Sequence, residues 1–344
     1  MKLYNKYKYY PKNVVIVGDG EPGRILATKL LLENPAGINI VGFIDPELAT
    51  GALIIYGKRV LGNYSDLNEI VKYYKVDEIL IAFGGEDYEQ LFQLIDKCRE
   101  LKVSVKISSE LLKIIPQKFI TEKYSNLPVI DLSSVSVGRY HEKKKRIFDI
   151  CFAFGGLILL TPLLVLIVLA IKLTSRGSVF YNQARIGKNG IPFSFYKFRS
   201  MKLSNNDDPD RKEKMIAFMK SSNANEKGSK IVSNSRITRI GHLLRKTSLD
   251  EVPQLFNVLK GNMSIVGPRP CLPYEFDNYD IWQKRRLNVM PGCTGVWQVS
   301  GRSSVSFKDS VVLDLYYINK MSSWMDLQLA VKTIPVMLFS RGGK

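Results

Sequence analysis

Two adjacent carboxylates, Asp250 and Glu251, lie in the stretch 243–270, LLRKTSLDEVPQLFNVLKGNMSIVGPRP, with cations close by at Arg245, Lys246 and Arg269. A carboxylate among cations is either a satisfied salt-bridge cluster or a nucleophile aimed at an anionic substrate. Thr247 or Ser248 suits an N-cap, and Glu251 follows Ser248 by three residues. That spacing predicts a capping box opening a helix that runs to about Lys260. Asp250 then falls in the first turn, where free backbone N–H groups and the positive end of the dipole favour an ionised carboxylate or a phosphate docked beside it. On its own, SLDE is also what a plain helix cap looks like.

Gly267-Pro268-Arg269-Pro270 closes the stretch. Two prolines hold the arginine on a stiff backbone, and a guanidinium so held suits bidentate phosphate recognition; otherwise the segment is an ordinary proline-rich turn. Upstream, Lys197 and Arg199 are two apart on a strand-like segment and share a face. They either present cations to a diphosphate or lipid phosphate, or line a solvated edge. Asp207, Asp208 and Asp210 sit in a polar stretch, 204–230, without metal-ligand spacing, and a loop with no catalytic role is expected there. His141 and His242 are too few and too far apart for a metal site. The four cysteines, Cys98, Cys151, Cys271 and Cys293, lack CxxC spacing and fit a reducing compartment.

These groups need a scaffold, and the charge distribution divides it. Of 344 residues, 1–140 carry 18 basic and 17 acidic side chains, whereas 141–344 carry 32 and 15. The basic excess belongs to the second part and fits nucleic acid, an anionic membrane surface or phosphorylated small molecules. The chain has no zinc finger, RNP motif or basic zipper, so nucleic acid is not expected. Between Asp149 and Lys172 run 22 uncharged residues, Ile150 to Ile171, introduced by Lys143-Lys144-Lys145-Arg146. That length could cross a bilayer. Cations on both sides favour keeping both ends in the cytosol, and Thr161-Pro162 near the middle can bend or break a helix. The expectation is a re-entrant helix–break–helix that enters and leaves one leaflet, against the alternative of one straight transmembrane helix.

The first part reads as alternating strand and helix. Strand 13–17 leads into Gly18-Asp19-Gly20-Glu21-Pro22-Gly23 and a helix over about 21–32. A second strand, 38–44, ends at Asp45, 22 residues after Gly23, where a ribose-binding acid lies in a dinucleotide site. Further strands are expected at 78–83 and 103–107, with a helix over 88–101 between them. The pattern predicts a Rossmann-like parallel sheet. Gly18, Gly20, Gly23 and Asp45 either bind a nucleotide or serve only a tight turn and close helix packing. The N-terminus has no apolar signal segment, so this domain is expected to stay in the cytosol.

From about Lys145 onward the chain resembles the bacterial sugar transferases, the monotopic polyprenyl-phosphate phosphoglycosyl transferases. The resemblance is carried by KKRIFDI, by FYNQARIGKNGIPFSFYKFRSM at 180–201, by SRITRIGHLLRKTSLDEVPQLFNVLKGNMSIVGPRP at 235–270, by MPGCTGVWQVSGR at 290–302 and by LDLYYINKMSSWMDLQL at 313–329. Members often carry an N-terminal Rossmann-like accessory domain, and in many that domain follows a transmembrane bundle. Only about a dozen residues precede the first strand here, so no bundle is expected in this sequence. The family's helix break is usually Ser-Pro; Thr161-Pro162 keeps the hydroxyl.

The expected organisation is α/β: a Rossmann-like domain at 1–140, a basic segment and re-entrant membrane helix at 141–176, and a mainly α catalytic domain with short strands at 177–344. The resemblance implies transfer of a sugar 1-phosphate from a UDP-sugar to polyprenyl (undecaprenyl) phosphate, giving polyprenyl diphosphate sugar and UMP, as the first membrane step in making a capsule, exopolysaccharide, O-antigen or glycan. It implies Asp250 as the nucleophile that forms an acyl-phosphate intermediate, with Glu251 holding Mg2+ or orienting the site. Arg245 and Arg269 would bind phosphate or nucleotide, and Pro268 and Pro270 would shape the pocket. Lys197, Arg199 and Asp314 are weaker candidates. The expected place is the cytoplasmic face of the bacterial inner membrane, among membrane lipids, with a homodimer plausible. An inactive nucleotide-binding scaffold and an NAD-dependent nucleotide-sugar enzyme are the alternatives; the intact Asp-Glu pair opposes the first and the unexplained apolar run the second.

Overall fold

Runs of valine and isoleucine bounded by glycine, asparagine and aspartate form the middle of the first of two compact units, Met1–Val135 and Ser136–Lys344. The computed structural model describes residues 11–18, 20–33, 37–83, 88–109, 122–124, 127–131, 139–201, 209–220, 237–300 and 305–338.

In the first unit, β1 (Lys12–Val17), α1 (Glu21–Glu33), β2 (Ile38–Ile44), β3 (Leu53–Ile55), β4 (Lys58–Gly62), α2 (Leu67–Tyr73), β5 (Glu78–Phe83), α3 (Tyr88–Glu100), β6 (Ser104–Ser109), β7 (Glu122–Tyr124) and β8 (Leu127–Asp131) follow in order. The sheet order is β3-β4-β2-β1-β5-β6-β8-β7. Neighbours from β4 to β6 pair in parallel, and the outer pairings are antiparallel. This is the expected Rossmann-like sheet, extended at both edges by short strands whose periodicity is too brief to read. Val14, Ile16, Leu26, Leu30, Ile40, Phe43 and Leu80 pack between β1, β2, β5 and α1.

The glycine-rich turn has a packing reason. Gly18 has φ +94°, and a Cβ on Gly23 would lie 1.9 Å from the Gly18 carbonyl oxygen, so both positions demand glycine for the strand to turn into α1. Gly20, at the mouth of that turn, accepts a bond from the Arg24 amide. Asp45 is buried, and its Oδ1 accepts from the Glu47 and Leu48 amides at 2.7 and 3.0 Å. The expectation of a ribose-binding acid is corrected to that extent: the carboxylate closes the turn after β2. Asp19 lies outside the described residues.

The second unit begins with α4 (Arg139–Thr174), which contains the whole apolar run. It is the one helix among the described residues long and apolar enough to cross a membrane. Helical structure continues through Thr161-Pro162, so the expected helix–break–helix is corrected. A proline deletes one donor, while the flanking bonds persist and the Thr161 hydroxyl donates to Leu157 O at 2.7 Å. After α4 come β9 (Phe180–Ile186) and β10 (Pro192–Phe198), an antiparallel hairpin. Next are α5 (Pro209–Lys220), α6 (Arg239–Lys246), α7 (Gln254–Lys260), β11 (Ser264–Val266), α8 (Pro273–Asp277) and α9 (Ile281–Lys284). β12 (Gly292–Thr294), parallel to β11, precedes α10 (Val296–Ser300), α11 (Phe307–Lys320) and α12 (Ser323–Leu338). α5 lies within the stretch expected to be a loop and buries Met219. Asp207, Asp208 and Arg302 lie outside the described residues.

One face of α4 serves as part of this unit's core. Near its start Arg146 donates to the carbonyls of Val258 and Leu259 at 2.6 and 2.9 Å, capping α7. Asp149 accepts from Ser264 Oγ and the Ile265 amide, both at 2.9 Å, and Lys145 pairs with Asp326 of α12 at 2.8 Å. Near its end Ile167 and Ile171 pack with Val179, Phe198 and Leu244. Most of the remaining surface after Asp149 is apolar and bare: Phe154, Ile158, Leu159, Val165, Leu166, Leu169 and Leu173 are all exposed, Leu159 by 80% and Leu173 by 86%.

Candidate active site

Leu249–Glu251 form a single 3-10 turn between α6 and α7, and Asp250 is its buried residue. The predicted capping box is absent. Ser248 adopts a left-handed conformation, φ 55° and ψ 17°, and makes no side-chain cap, while the Thr247 hydroxyl bonds back to Leu243 O at the end of α6. Pro253 explains the difference: with no N–H it cannot extend an α-helical ladder backwards, and the α-helix proper starts at Gln254. Glu251, freed from the capping role, points elsewhere.

It points at β10. Lys197 Nζ donates to Glu251 Oε1 at 2.6 Å, with both side chains partly exposed. Burial alone would raise the Glu251 carboxyl; the Lys197 charge and hydrogen bond, with Arg269 and a bond from Gln254, outweigh it and hold Glu251 below the usual range. Asp250 goes the other way. It is 8% exposed, and burial raises its carboxyl to about 6, opposed by Lys197 and Arg245 and reinforced by Glu251. Such a divergent pair of neighbouring carboxyls is a functional-site signature.

Arg269 stands exposed between the buried Pro268 and Pro270. The clamp beneath it is made of glycines: a Cβ on Gly267 would lie 2.5 Å from Met290 O, and one on Gly292 would lie 2.0 Å from Gly267 N. Gly267 N donates to Thr294 O and Gly292 N to Pro268 O, each at 2.8 Å. The MPGCTG segment therefore grips the Gly-Pro-Arg-Pro segment. The β9–β10 hairpin ties the two motifs together, since Arg185 donates to Pro270 O at 3.1 Å and Ile186 N to Cys271 O at 2.9 Å, while Lys197 reaches Glu251 from the other strand.

Asp250, Glu251, Lys197, Arg245 and Arg269 are thus brought into electrostatic contact. Arg199 and Asp314 are engaged elsewhere. Arg199 is buried and caps the end of α4, donating to Arg176 O, Ser175 O and Ser175 Oγ at 2.8 to 2.9 Å, so its expected phosphate role is corrected. Asp314 is buried in an ion pair with Arg286; burial first, against the arginine, raises its carboxyl to about 6. One residue not expected at the site belongs to it: Gln254, whose bond supports Glu251. Gln254 sits three after Glu251 and three before Asn257, so polar residues recur at helical spacing on the buried face of α7, and that was its signal. Among the described residues no three His, Cys, Asp or Glu side chains converge as a metal site. Two adjacent carboxylates fit a hard divalent cation that takes one or two carboxylates and completes its shell with substrate phosphate oxygens.

Residues 140–340 match the family described as Bacterial sugar transferase. The chain belongs to that family. Residues 2–109 of this sugar transferase match a second family, described as CoA-binding domain. The UDP-galactose-lipid carrier transferase of Erwinia amylovora is 30% identical over 344 residues, 98% of this chain and 70% of that protein. The undecaprenyl-phosphate galactose phosphotransferase of Salmonella typhimurium is 31% identical over 346 residues, again 98% and 70%. The exopolysaccharide production protein ExoY of Sinorhizobium fredii is 42% identical over 202 residues, 58% of this chain and 87% of its own length. The first two relatives align with both units of the transferase, and ExoY with a stretch about as long as the family match.

Proposed function

We propose that this sugar transferase moves a sugar 1-phosphate from a UDP-sugar to undecaprenyl phosphate through a phosphosugar bonded to Asp250. The carrying observation is the carboxyl pair itself: a buried Asp250 beside an ionised, lysine-held Glu251, with Arg245 and Arg269 adjacent. In the first step a carboxylate oxygen of Asp250 attacks the phosphorus that bears the sugar. The diphosphate P–O bond breaks and its electron pair leaves with UMP. In the second, an oxygen of undecaprenyl phosphate attacks the same phosphorus, the Asp250 O–P bond breaks, and the carboxylate is restored. Two steps replace one encounter of several anions.

Arg245 and Arg269 neutralise the diphosphate, and the stiff prolines around Arg269 limit its entropy loss on binding. Lys197 and Gln254 keep Glu251 charged and aimed. Mg2+ bound by Asp250 or Glu251 and the diphosphate would offset charge on the departing UMP. The buried Asp250 is protected from bulk water, which limits hydrolysis of an acyl phosphate.

We further propose that the enzyme sits in one leaflet on the cytoplasmic face of the inner membrane and initiates a polysaccharide or glycan. The exposed apolar surface of α4 favours lipid contact. α12 adds a stripe at helical spacing, Trp324, Leu327, Val331 and Ile334, all exposed.

The test is intact-protein mass after exposure of detergent-held protein to Mg2+ and a panel of UDP-sugars without lipid, with Asp250→Asn in parallel. The expected result is a sugar-phosphate adduct and UMP release with the native protein alone, the added mass identifying the sugar. An adduct that persists in Asp250→Asn would move the nucleophile. Absence of UMP release with every donor, lipid acceptor included, would defeat the reading.

A further inference from the structure

Asn257 is fully buried in α7, and its side-chain amide is turned onto the open edge of β10. Tyr196 N donates to Asn257 Oδ1 at 3.0 Å, and Asn257 Nδ2 donates to Ser194 O at 2.6 Å. Ser194 O and Tyr196 N flank one residue of the strand, the pair of groups that a neighbouring strand's peptide would bind. The side chain thus substitutes for a missing strand. Its own carbonyl accepts from the Asn262 and Met263 amides, which fixes the end of α7 from which it projects.

Both partners of the site's ion pair are tied to this contact. Lys197 follows Tyr196 directly. Glu251 lies one turn before α7, and Gln254, three residues before Asn257 on the same helix face, bonds Glu251. A lysine stem can swing, but here its ammonium is limited to the space between Glu251 Oε1, 2.6 Å away, and the Phe195 ring, whose centroid is 5.4 Å away. Where the backbone of residues 194–196 stands relative to α7 then decides where the cation stands relative to both carboxyls.

We infer that Asn257 is a positioning residue, which holds β10 against α7 so that the Lys197 ammonium meets the Asp250–Glu251 pair. The inference rests on the reading of that pair as the reaction centre. Asn257 touches no substrate; it acts through Lys197.

The test is a double-mutant cycle on the full chain, using Asn257→Ala, Lys197→Met and both together. Turnover is read as UMP release with undecaprenyl phosphate and the donor accepted by the native enzyme, and 1H–15N NMR of the lysine ammonium groups, assigned through Lys197→Met, follows the bond from Lys197 to Glu251. Each single variant should lower kcat/KM by up to about 100-fold. The double variant should stay within about twofold of Lys197→Met. The Lys197 ammonium signal, slowed in solvent exchange by its bond to Glu251, should be lost in Asn257→Ala as in Lys197→Met. Asn257→Leu keeps close to the native volume, adds no charge and loses both bonds to β10; it should reproduce the loss and serves where the alanine variant does not fold. Additive losses, or a lower Tm with the Lys197 signal unmoved, would overturn the inference and leave Asn257 a structural residue. If the native enzyme releases no UMP from any donor, the catalytic reading fails instead, and the ammonium signal still decides whether Asn257 acts through Lys197.

Discussion

Burial raises the Asp250 carboxyl to about 6, while Lys197 and its neighbours hold Glu251 low, so over a window ending near pH 6 one acid of the pair is protonated and the other ionised. An attacking carboxylate must be charged, and the kcat/KM profile should therefore fall on its acid side with a midpoint near 6. Lys197→Met should move that midpoint upward, because the variant removes the first cation opposing burial; an unmoved limb would dissociate Lys197 from Asp250. The same displacement has a stability consequence. A carboxyl raised in the folded state disfavours folding once the unfolded chain ionises, from about pH 4, and the cost grows until about pH 6 and is constant above. Asp250→Asn should abolish turnover and gain stability, rising across that interval to at most about 3 kcal/mol, read by thermal melts from pH 4 to 8. The residue types at the site were legible in SLDE and GPRP because charge and proline are explicit in sequence. The local backbone was not: Ser248 and Glu251 satisfied a capping spacing, but Pro253 overruled it, and the freed glutamate found Lys197 from 54 positions away.

Lys197 and Arg199 illustrate how elements divide the work between similar residues. Two apart on one strand, they looked interchangeable. Lys197 lies within β10 and reaches the carboxyl pair, whereas Arg199 lies just past the strand's end, where its planar fork meets three acceptors at the end of α4. Arg199→Lys keeps the charge but cannot bind those acceptors in the same geometry. It should cost about 1 to 3 kcal/mol by leaving buried carbonyls unsatisfied, measured by denaturant unfolding, and leave KM for the donor close to native in the folded fraction. A change in KM equal to that of Lys197→Met would return Arg199 to the phosphate site. The glycines of the two C-terminal motifs make a similar point. Gly267 opens a segment readable as a proline-rich turn, yet the need for glycine at 267 and 292 comes from each other, across 25 residues of chain. Gly292→Ala should force β11 and β12 apart, lowering Tm by several degrees and activity with it, since a Cβ 2.0 Å from Gly267 N has no room. The long strands and helices of the first unit were readable from period and length. Pairings between a side chain and a distant backbone edge, such as Asn257 on β10, leave no periodic trace.

At the scale of the molecule the decisive geometry is α4. Asp149 and Ile171, 22 residues apart, are about 33 Å apart along a continuous helix, a distance comparable with the roughly 30 Å hydrocarbon core of a bilayer. Both are held by the same compact unit, Asp149 through Ser264 and Ile265, Ile171 through Val179, Phe198 and Leu244. A helix that crossed the bilayer would separate these two contacts by the whole core, and one of them would have to break or the unit would have to enter lipid with its polar backbone. Arg146 strengthens the case, because its guanidinium caps α7 in the same unit that Lys197 joins to the reaction centre. We therefore expect both ends of α4 on the cytoplasmic side. Exposed Cys151 should first be replaced by serine, and single thiols introduced as Lys143→Cys and Arg176→Cys, at exposed positions before and after the apolar run. A membrane-impermeant maleimide should then label both in inverted vesicles and neither in spheroplasts. Labelling of one thiol from each side would establish a span and dissolve the contacts at one end of the helix. Labelling of both from outside would put the site out of reach of cytosolic nucleotide sugars, and with it the proposed reaction. With both thiols inside, the apolar flank of α4 lies along one leaflet, and the basic unit, which carries nearly all of the chain's net charge, meets soluble diphosphate and lipid phosphate at one surface.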